Sequence, residues 1–200
     1  MTARPRSITT VTVFCGSSPG HDPAHRAAAV DLGRLLVARG IDLVYGGGSV
    51  GLMGVLADAV LAGGGRVTGV IPRHLWEKEV GHHGLTELLV VESMHARKMA
   101  MADRGDAFIA LPGGVGTFEE LFEALTWTQL GIHEKPVGLL GEAGFYRPLL
   151  AFLDATVDAG FLRPEHRAIL LAADDPAELL DRLAVWTPPS TEKWLELDER

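Results

Sequence analysis

The sequence lacks the features that mark secreted, membrane-spanning and nucleic-acid-binding proteins. Its 200 residues include one cysteine, Cys15, which has no second cysteine to pair with and so indicates a reducing compartment. No uncharged apolar run approaches the ~20 residues of a membrane-spanning helix, and residues 1–7 have no apolar core of the kind found in secretion signals. The net charge of −8 comes without a cluster of Lys and Arg. We therefore expect a cytoplasmic protein with no membrane partner and no nucleic-acid partner.

The common metal-binding and nucleophile motifs are missing as well. The eight histidines include no H-E-x-x-H, and His82 and His83 are adjacent rather than one helical turn apart, so we expect exposed loop histidines. No G-x-S-x-G elbow occurs, and Ser17 and Ser18 have no evident base. No lysine motif for pyridoxal phosphate stands out. The sequence thus predicts no metal site and no cofactor.

What the chain does have is a regular alternation of short apolar runs and amphipathic segments, together with 24 glycines. We predict strands at residues 11–15, 42–45, 66–71, 88–91, 107–111, 136–140 and 169–172. We predict helices at residues 23–39, 54–61, 93–103, 118–130, 146–159 and 176–184. This alternation is typical of an α/β protein with a doubly wound parallel sheet of about seven strands. We expect a single domain over residues 1–186 and a loosely ordered tail at 187–200.

The segment L-P-G-G-V-G-T-F-E-E at residues 111–120 carries the strongest functional signal. It joins a predicted strand to a predicted helix. Glycines at such a junction let the backbone turn tightly and leave peptide N–H groups bare, and the positive end of the helix dipole also attracts an anion. We predict a phosphate site here, with the carboxylates of Glu119 and Glu120 beside it.

Two further glycine-containing turns follow predicted strands, at residues 16–18 and 46–54. Ligands bind such sheets where the winding reverses, so we expect one crevice to collect all three turns. Gly46, Gly48 and Gly51 match the dinucleotide pattern G-x-G-x-x-G. A turn for close helix packing and a contact to phosphate or ribose both remain open. A full NAD site is disfavoured, because the next strand ends in I-P-R without an acidic residue.

Three charged residues near these turns each allow two interpretations. Arg97 and Lys98 lie in a predicted helix that is apolar nearly all round, where they either snorkel at the surface or hold a guanidinium in a pocket for a phosphate or base. Glu120 forms the capping pattern T-x-x-E with Thr117. It is also a candidate catalytic carboxylate beside the phosphate site.

Three motifs together resemble the LOG ("lonely guy") family: G-G-G-S-V-G-L-M-G at residues 46–54, S-M-H-A-R-K at 93–98 and P-G-G-V-G-T-F-E-E at 112–120. The likeness covers about residues 10–185 and includes T-W-T-Q-L-G-I-H at 126–133. Members of this family are cytokinin riboside 5′-monophosphate phosphoribohydrolases, once widely mislabelled lysine decarboxylases. The resemblance implies a Rossmann-like fold. It also implies hydrolysis of the N-glycosidic bond of an N6-modified adenosine monophosphate, or of AMP, to free base and ribose 5-phosphate.

The resemblance also assigns roles to particular residues. The family's catalytic arginine and glutamate fall on Arg97 and Glu120. Its nucleotide contacts fall on Glu79, Lys98, Gly113, Gly114, Val115, Gly116, Thr117, Phe118, Glu119 and Thr126. Val115 occupies a variable position where the family often has tyrosine. The glycine turns add Gly16, Ser17, Gly46, Gly47 and Gly48 as expected neighbours of the phosphate or ribose.

Two further expectations concern assembly and rival functions. The short chain resembles the dimeric type of the family, and the apolar side chains of residues 125–132 are expected in a homodimer interface, with ordinary core packing as the alternative. A non-catalytic nucleotide or molybdenum-cofactor binding carrier is the alternative function, because such carriers share the fold and a similar glycine-rich turn. The Arg97–Glu120 pair favours an enzyme.

Overall fold

Strands and helices alternate along the chain in the computed structural model, which describes residues 7–77, 81–141 and 144–189. The strands are β1 (Thr10–Phe14), β2 (Asp42–Tyr45), β3 (Val67–Pro72), β4 (Glu87–Val91), β5 (Ala107–Ala110), β6 (Val137–Leu140) and β7 (Leu170–Ala173). The helices are α1 (Pro23–Ala38), α2 (Gly51–Ala62), α3 (Arg73–Trp76), α4 (Met94–Arg104), α5 (Val115–Gln129), α6 (Arg147–Asp158), α7 (Pro164–Arg167) and α8 (Pro176–Val185). All seven predicted strands and all six predicted helices are confirmed, with shifted ends.

The seven strands form one parallel sheet in the order β4-β3-β2-β1-β5-β6-β7. Val11 of β1 lies beside Leu43 of β2 on one side and Ala107 of β5 on the other. The chain builds outward from β1 to β4 and then returns to the opposite side of β1 to add β5. The predicted doubly wound parallel sheet is therefore confirmed, and its winding reverses between β1 and β5, where ligands bind in such sheets.

Both faces of the sheet are buried. Val11 and Val13 of β1 pack into a core with α1, α2 and α8, whereas Phe14 packs into a second core with α4, α5 and α6. Successive side chains of a strand point to opposite faces, so β1 is covered on both sides, and Thr12 between the two valines is fully buried as well. No helix among the described residues is both long and apolar enough to cross a membrane.

The two four-residue helices α3 and α7 were not predicted, because one turn is too short to show helical periodicity. A more consequential difference lies in α5. This helix begins at Val115, three residues before the predicted start, with Gly114 as its N-cap. Thr117 and Glu120 are thus helical residues rather than the two ends of a capping box, and the capping interpretation of Glu120 is wrong.

Candidate active site

The three glycine turns meet at the carboxyl edge of the sheet. The backbone N–H of Gly16, after β1, donates a hydrogen bond of 3.0 Å to the carbonyl of Pro112, after β5. The backbone N–H of Leu52, after the second turn, donates one of 3.0 Å to the carbonyl of Gly16. The prediction that one crevice collects all three turns is confirmed.

Close backbone contact explains two of the glycines. Gly51 has φ +62, and a Cβ there would overlap with the backbone of Ser17. A Cβ on Gly113 would overlap with the side chain of Thr117 and approach the backbone nitrogen of Gly16 to 2.9 Å. Only glycine therefore lets the turns after β2 and β5 pack against the turn after β1.

Between these turns lies a cleft of about 560 Å³, a volume within the usual range for small-molecule sites. Residues from all three turns and from four helices line it: Cys15, Gly16, Ser17, Gly46, Gly48, Val50, Met53, Ile71, Leu75, Arg97, Gly114, Val115, Gly116, Thr117 and Glu120. Eight of the residues that the sequence predicted around the site, besides the catalytic pair, are among them. Both catalytic candidates, Arg97 and Glu120, also reach it.

Two helices begin at this cleft without a side-chain cap. Neither Gly114, the N-cap of α5, nor Val50, the N-cap of α2, provides a side-chain hydrogen bond to the first turn. The first N–H groups of a helix have no acceptor within the helix. The amides of residues 115–117 therefore meet the cleft at the positive end of the α5 dipole, in an arrangement suited to an anion.

Arg97 is held in the cleft wall by three different contacts. Its Nε donates a hydrogen bond of 3.2 Å to the carbonyl of Val70, and its Nη1 lies 3.8 Å from the sulfur of Met94. Its Nη2 forms an ion pair of 3.4 Å with Oε1 of Glu120. A Cβ on Gly46 would overlap with that same Nη2, so this glycine makes the room that the guanidinium occupies. The pocket interpretation of Arg97 is supported, because its side chain is only 11% exposed rather than extended into solvent.

Glu120 projects from the second turn of α5 into the cleft, with its side chain 9% exposed. Burial raises the pKa of this carboxyl above its usual value, and the nearby carboxylates of Glu119 and Glu123 raise it further. The positive charges of Arg97 and Lys98 act in the opposite direction and lower it. A carboxylate with a raised pKa is a stronger base than an exposed one, which suits a group that takes a proton from water.

Lys98 follows Arg97 on α4 but faces another part of the molecule. Its Nζ lies 2.5 Å from Oε1 of Glu119 and 2.9 Å from Oε1 of Glu123. It does not line the cleft. Instead, Lys98 and Glu123 line a cavity of about 10 Å³ behind Glu120, which also borders it.

The other residues singled out from the sequence lie around the cleft rather than in it. Gly113 lines a neighbouring cavity of about 550 Å³ on the other side of the turn, and Phe118 stacks at 6.2 Å on Phe145 at the rim of that cavity. Thr126 is exposed two turns further along α5, and its hydroxyl donates a hydrogen bond of 2.6 Å to the carbonyl of Phe122. Gly47 is buried in its turn with φ +75. Glu79 lies outside the described residues.

Sequence reasoning missed the apolar wall of the cleft. Val50, Met53, Ile71 and Leu75 come from the start of α2, from β3 and from α3. Their types are those of ordinary core residues, and nothing local shows that they converge. Cys15 also reaches the cleft, and burial and the charge of Glu120 raise its pKa. A raised pKa keeps the thiol protonated, so Cys15 is not an activated nucleophile.

No group of three or more His, Cys, Asp or Glu side chains in the described ranges is arranged to hold a metal ion. The polar groups that face the cleft are a guanidinium, a carboxylate, hydroxyls and peptide amides. Groups of these types can bind an anion and exchange protons.

Among solved structures, the fold is similar to that of the molybdenum cofactor binding protein of the phototrophic bacterium Rippkaea orientalis. The two share a TM-score of 0.65 at 21% identity, over 90% of this chain and 96% of that one. At this identity the likeness shows a shared fold alone.

Sequence comparisons reach further. A protein-family model described as "Possible lysine decarboxylase" matches residues 53–183. A probable cytokinin riboside 5′-monophosphate phosphoribohydrolase of Oryza sativa subsp. japonica is 54% identical over 89% of this chain and 73% of its own length. A cytokinin riboside 5′-monophosphate phosphoribohydrolase of Arabidopsis thaliana is 51% identical over 89% of this chain and 84% of its own length. These matches confirm the resemblance seen in the three motifs, and the chain belongs to the LOG family.

Proposed function

We propose that the protein is an N-glycosyl hydrolase that cleaves N6-modified adenosine 5′-monophosphates, and AMP, to free base and ribose 5-phosphate. The observation that carries the proposal is the Arg97–Glu120 ion pair, buried in a cleft where two uncapped helices begin. The names of the rice and Arabidopsis relatives describe this reaction. The cleft offers an anion site and a carboxylate, and the reaction needs both.

The substrate phosphate is proposed to bind at the turn after β5. The N–H groups at the start of α5 and the hydroxyl of Ser17 face the same space. A Cβ on Gly114 or Gly116 would meet nothing within 4 Å, so the backbone here is open to a ligand. Phosphate held at this point anchors the ribose by binding energy remote from the reacting carbon.

Glu120 is proposed to act at the anomeric carbon. Cleavage of a ribose–purine bond develops positive charge on the sugar, as in glycoside hydrolysis. The ionised carboxylate stabilises this charge and takes a proton from the attacking water. The hydroxyl is added to C1′, and the departing purine gains a proton, so the products are ribose 5-phosphate and the neutral base.

Arg97 is proposed to have two roles, pairing with Glu120 and contacting the bound nucleotide. Its guanidinium lowers the pKa of Glu120 against the effect of burial and so favours the ionised form, and its side chain lines the cleft beside Gly46. A planar guanidinium suits the oxygens or nitrogens of a nucleotide. The apolar wall of Val50, Met53, Ile71 and Leu75 offers a surface for the purine and for an apolar N6 group.

A homodimer in the cytoplasm is also part of the proposal. Leu130 and Ile132 at the end of α5 are 45% and 63% exposed, whereas Leu125 and Thr128 are buried in this chain's own core. Exposed aliphatic side chains at the surface suit contact with a second subunit. Light scattering at micromolar concentration is expected to give twice the mass of the chain, and a monomer would contradict this part.

The activity is tested with a panel of nucleoside 5′-monophosphates, scored by chromatography for free base. We expect adenine from AMP, faster release from N6-isopentenyladenosine monophosphate, and much slower release from the nucleoside that lacks the phosphate. Tight binding of a nucleotide without any release of base would favour the carrier alternative. Equal rates with and without the phosphate would contradict the proposed anion site.

A further inference from the structure

Two helices bring five charged side chains together behind and beside the cleft. Arg97 and Lys98 come from α4, and Glu119, Glu120 and Glu123 come from α5. Glu119 and Glu123 are four residues apart and share one face of their helix. The Arg97–Glu120 pair lies at the cleft, and the Lys98 ammonium bridges the other two carboxylates.

Lys98 is a buried cation with a defined pair of partners. Its side chain is 11% exposed, while those of Glu119 and Glu123 are 52% and 21% exposed. Although burial lowers its pKa, the hydrogen bonds and charges of both glutamates outweigh burial, so the pKa of Lys98 is raised overall. Lys98 is therefore positively charged across the working pH range, and its two partners occupy two of its three N–H donors.

The position of this cluster matters because Glu120 shares its cavity. The small cavity behind Glu120 is walled by Lys98 and Glu123 on the polar side and by Phe14, Phe108 and Trp127 on the apolar side. The aromatic walls leave room for little water, and charges act more strongly across a space that water screens less.

We propose that Lys98 is a positioning residue: its ammonium partly offsets the charges of Glu119 and Glu123 and thereby favours the ionised form of the neighbouring Glu120. This rests on the proposed catalytic role of Glu120. Lys98 then acts through the carboxylate rather than by touching the nucleotide, in contrast to the contact that the family resemblance implies for this position.

The balance of charges around Glu120 supports this role. The charged and titratable groups that act on it are Arg97 and Lys98 from α4, Glu119 and Glu123 from its own helix, and the Cys15 thiol at the end of β1. The two neighbouring carboxylates raise the pKa of Glu120, and Lys98 lowers it. Without Lys98, Arg97 alone would oppose the repulsion between the two carboxylates and the charge on Glu120.

The test compares three variants with the wild-type protein: Lys98→Met, Lys98→Arg and the triple variant Lys98→Met/Glu119→Gln/Glu123→Gln. kcat and KM for release of base from N6-isopentenyladenosine monophosphate are measured from about pH 5 to about pH 9. The carboxyl of Glu120 is also titrated by 13C NMR in nucleotide-free protein, which does not depend on turnover. Arg39→Met serves as the matched control, because Arg39 pairs with Asp181 at 2.6 Å near the opposite edge of the sheet.

For Lys98→Met we expect kcat to fall about three- to tenfold at the acidic end and to recover as the pH rises. The NMR midpoint of Glu120 is expected to move upward with it. Lys98→Arg keeps the charge and is expected to keep the acidic limb of the wild-type profile. The triple variant removes the repulsion together with the lysine, so its acidic limb is expected to return toward that of the wild type.

Several outcomes would overturn the inference. A raised KM with an unchanged acidic limb would show direct contact with the nucleotide. If Lys98→Met lowers the melting temperature but leaves the acidic limb of the pH profile and the NMR midpoint of Glu120 unchanged, Lys98 only stabilises the fold. If wild-type protein releases no base while the midpoint of Glu120 still moves in Lys98→Met, the proposed function fails and the electrostatic role of Lys98 stands.

Discussion

Arg97 and Lys98 are adjacent in sequence, but their side chains enter different environments. Arg97 meets one carboxylate, Glu120, at 3.4 Å in the wall of a cleft of about 560 Å³. Lys98 meets two carboxylates, Glu119 and Glu123, at 2.5 and 2.9 Å, beside a cavity of about 10 Å³. The two helices thus contribute similar charges to both groupings. What differs is the space available to a ligand.

The same residue types thus form either an ion cluster with little space beside it or a charged pair in the wall of a large cleft. The Lys98 ammonium, shared by two carboxylates beside a small cavity, has two of its three N–H donors occupied and its charge more than offset. A single cation beside a buried carboxylate in an open cleft keeps donors available and leaves the carboxyl with a raised pKa.

Glu120→Gln breaks the open pair and is expected to have the largest effect. Glutamine keeps the shape but removes the charge, so kcat should fall by about 10²-fold or more, the usual scale for an acid/base or electrostatic group. The melting temperature should change little, since Glu120 does not cap the helix. The change is followed by chromatography of free base and by thermal unfolding. Glu178→Gln, on the exposed side of α8, is the control, and an active Glu120→Gln protein would remove the carboxylate from the mechanism.

Arg97→Met breaks the same pair from the other side. It should lower kcat/KM by about 10²-fold. The loss should be greatest at acidic pH, because the pKa of Glu120 rises further when the guanidinium is removed. Glu120 must be ionised to act, so activity is lost as the pH falls through that raised pKa. A pH profile checks the sign: a loss that is equal at every pH would contradict this link between Arg97 and Glu120.

Gly46→Ala tests the position of Arg97, because it should displace the side chain without removing its charge. The new Cβ would overlap with Nη2 of Arg97. We expect about a tenfold fall in kcat/KM from the misplaced guanidinium. Gly144→Ala is the matched control, since a Cβ there would meet nothing within 4 Å. Equal rates for both variants would show that the position of Arg97 is not important.

The smallest effect on activity is expected at His133. Its ring stacks on Phe108, which lines the small cavity beside Lys98, and the two ring centroids lie 5.2 Å apart. It is half-buried rather than an exposed loop histidine as predicted, and burial together with the charge of Lys135 lowers its pKa to about 4. An unfolded histidine titrates near 6.5. The unfolded chain therefore binds a proton that the folded chain does not, and stability that is fully present above about pH 6.5 is lost as the pH falls toward 4.

Denaturant unfolding at several pH values between these limits checks this expectation. His133→Asn should show a shallower fall of the free energy of unfolding with acid than the wild type. An identical slope in both proteins would assign the acid sensitivity to other groups. The activity of His133→Asn at neutral pH is expected to change far less than that of the Arg97 and Glu120 variants.

Much of the fold and part of the site could be predicted from local sequence patterns. Short apolar runs predicted the seven strands, and the glycines after β1, β2 and β5 predicted the turns that form the cleft. The predicted start of α5 was wrong. The residues T-x-x-E from Thr117 to Glu120 match the capping-box pattern, but the helix begins at Val115. Local sequence cannot decide such cases, since packing of the glycine turns selects the start.

The two cations show a second limit of sequence prediction. Neighbours on a helix point about 100° apart, but which of them faces a ligand depends on what packs against each side. The Arg97 side chain packs against Gly46 and donates a hydrogen bond to the carbonyl of Val70, whereas the Lys98 side chain pairs with a carboxylate of α5. The apolar wall from Val50 to Leu75 was missed for the same reason, because its members converge only in the folded chain.

The most direct test of the central claim is a crystal structure of the Glu120→Gln variant with uncleaved adenosine 5′-monophosphate. The account predicts the phosphate on the amides of residues 115–117, the purine against the apolar wall, and the side chain of residue 120 directed at C1′. A nucleotide bound outside the cleft, or a side chain at residue 120 that faces away from C1′, would contradict it.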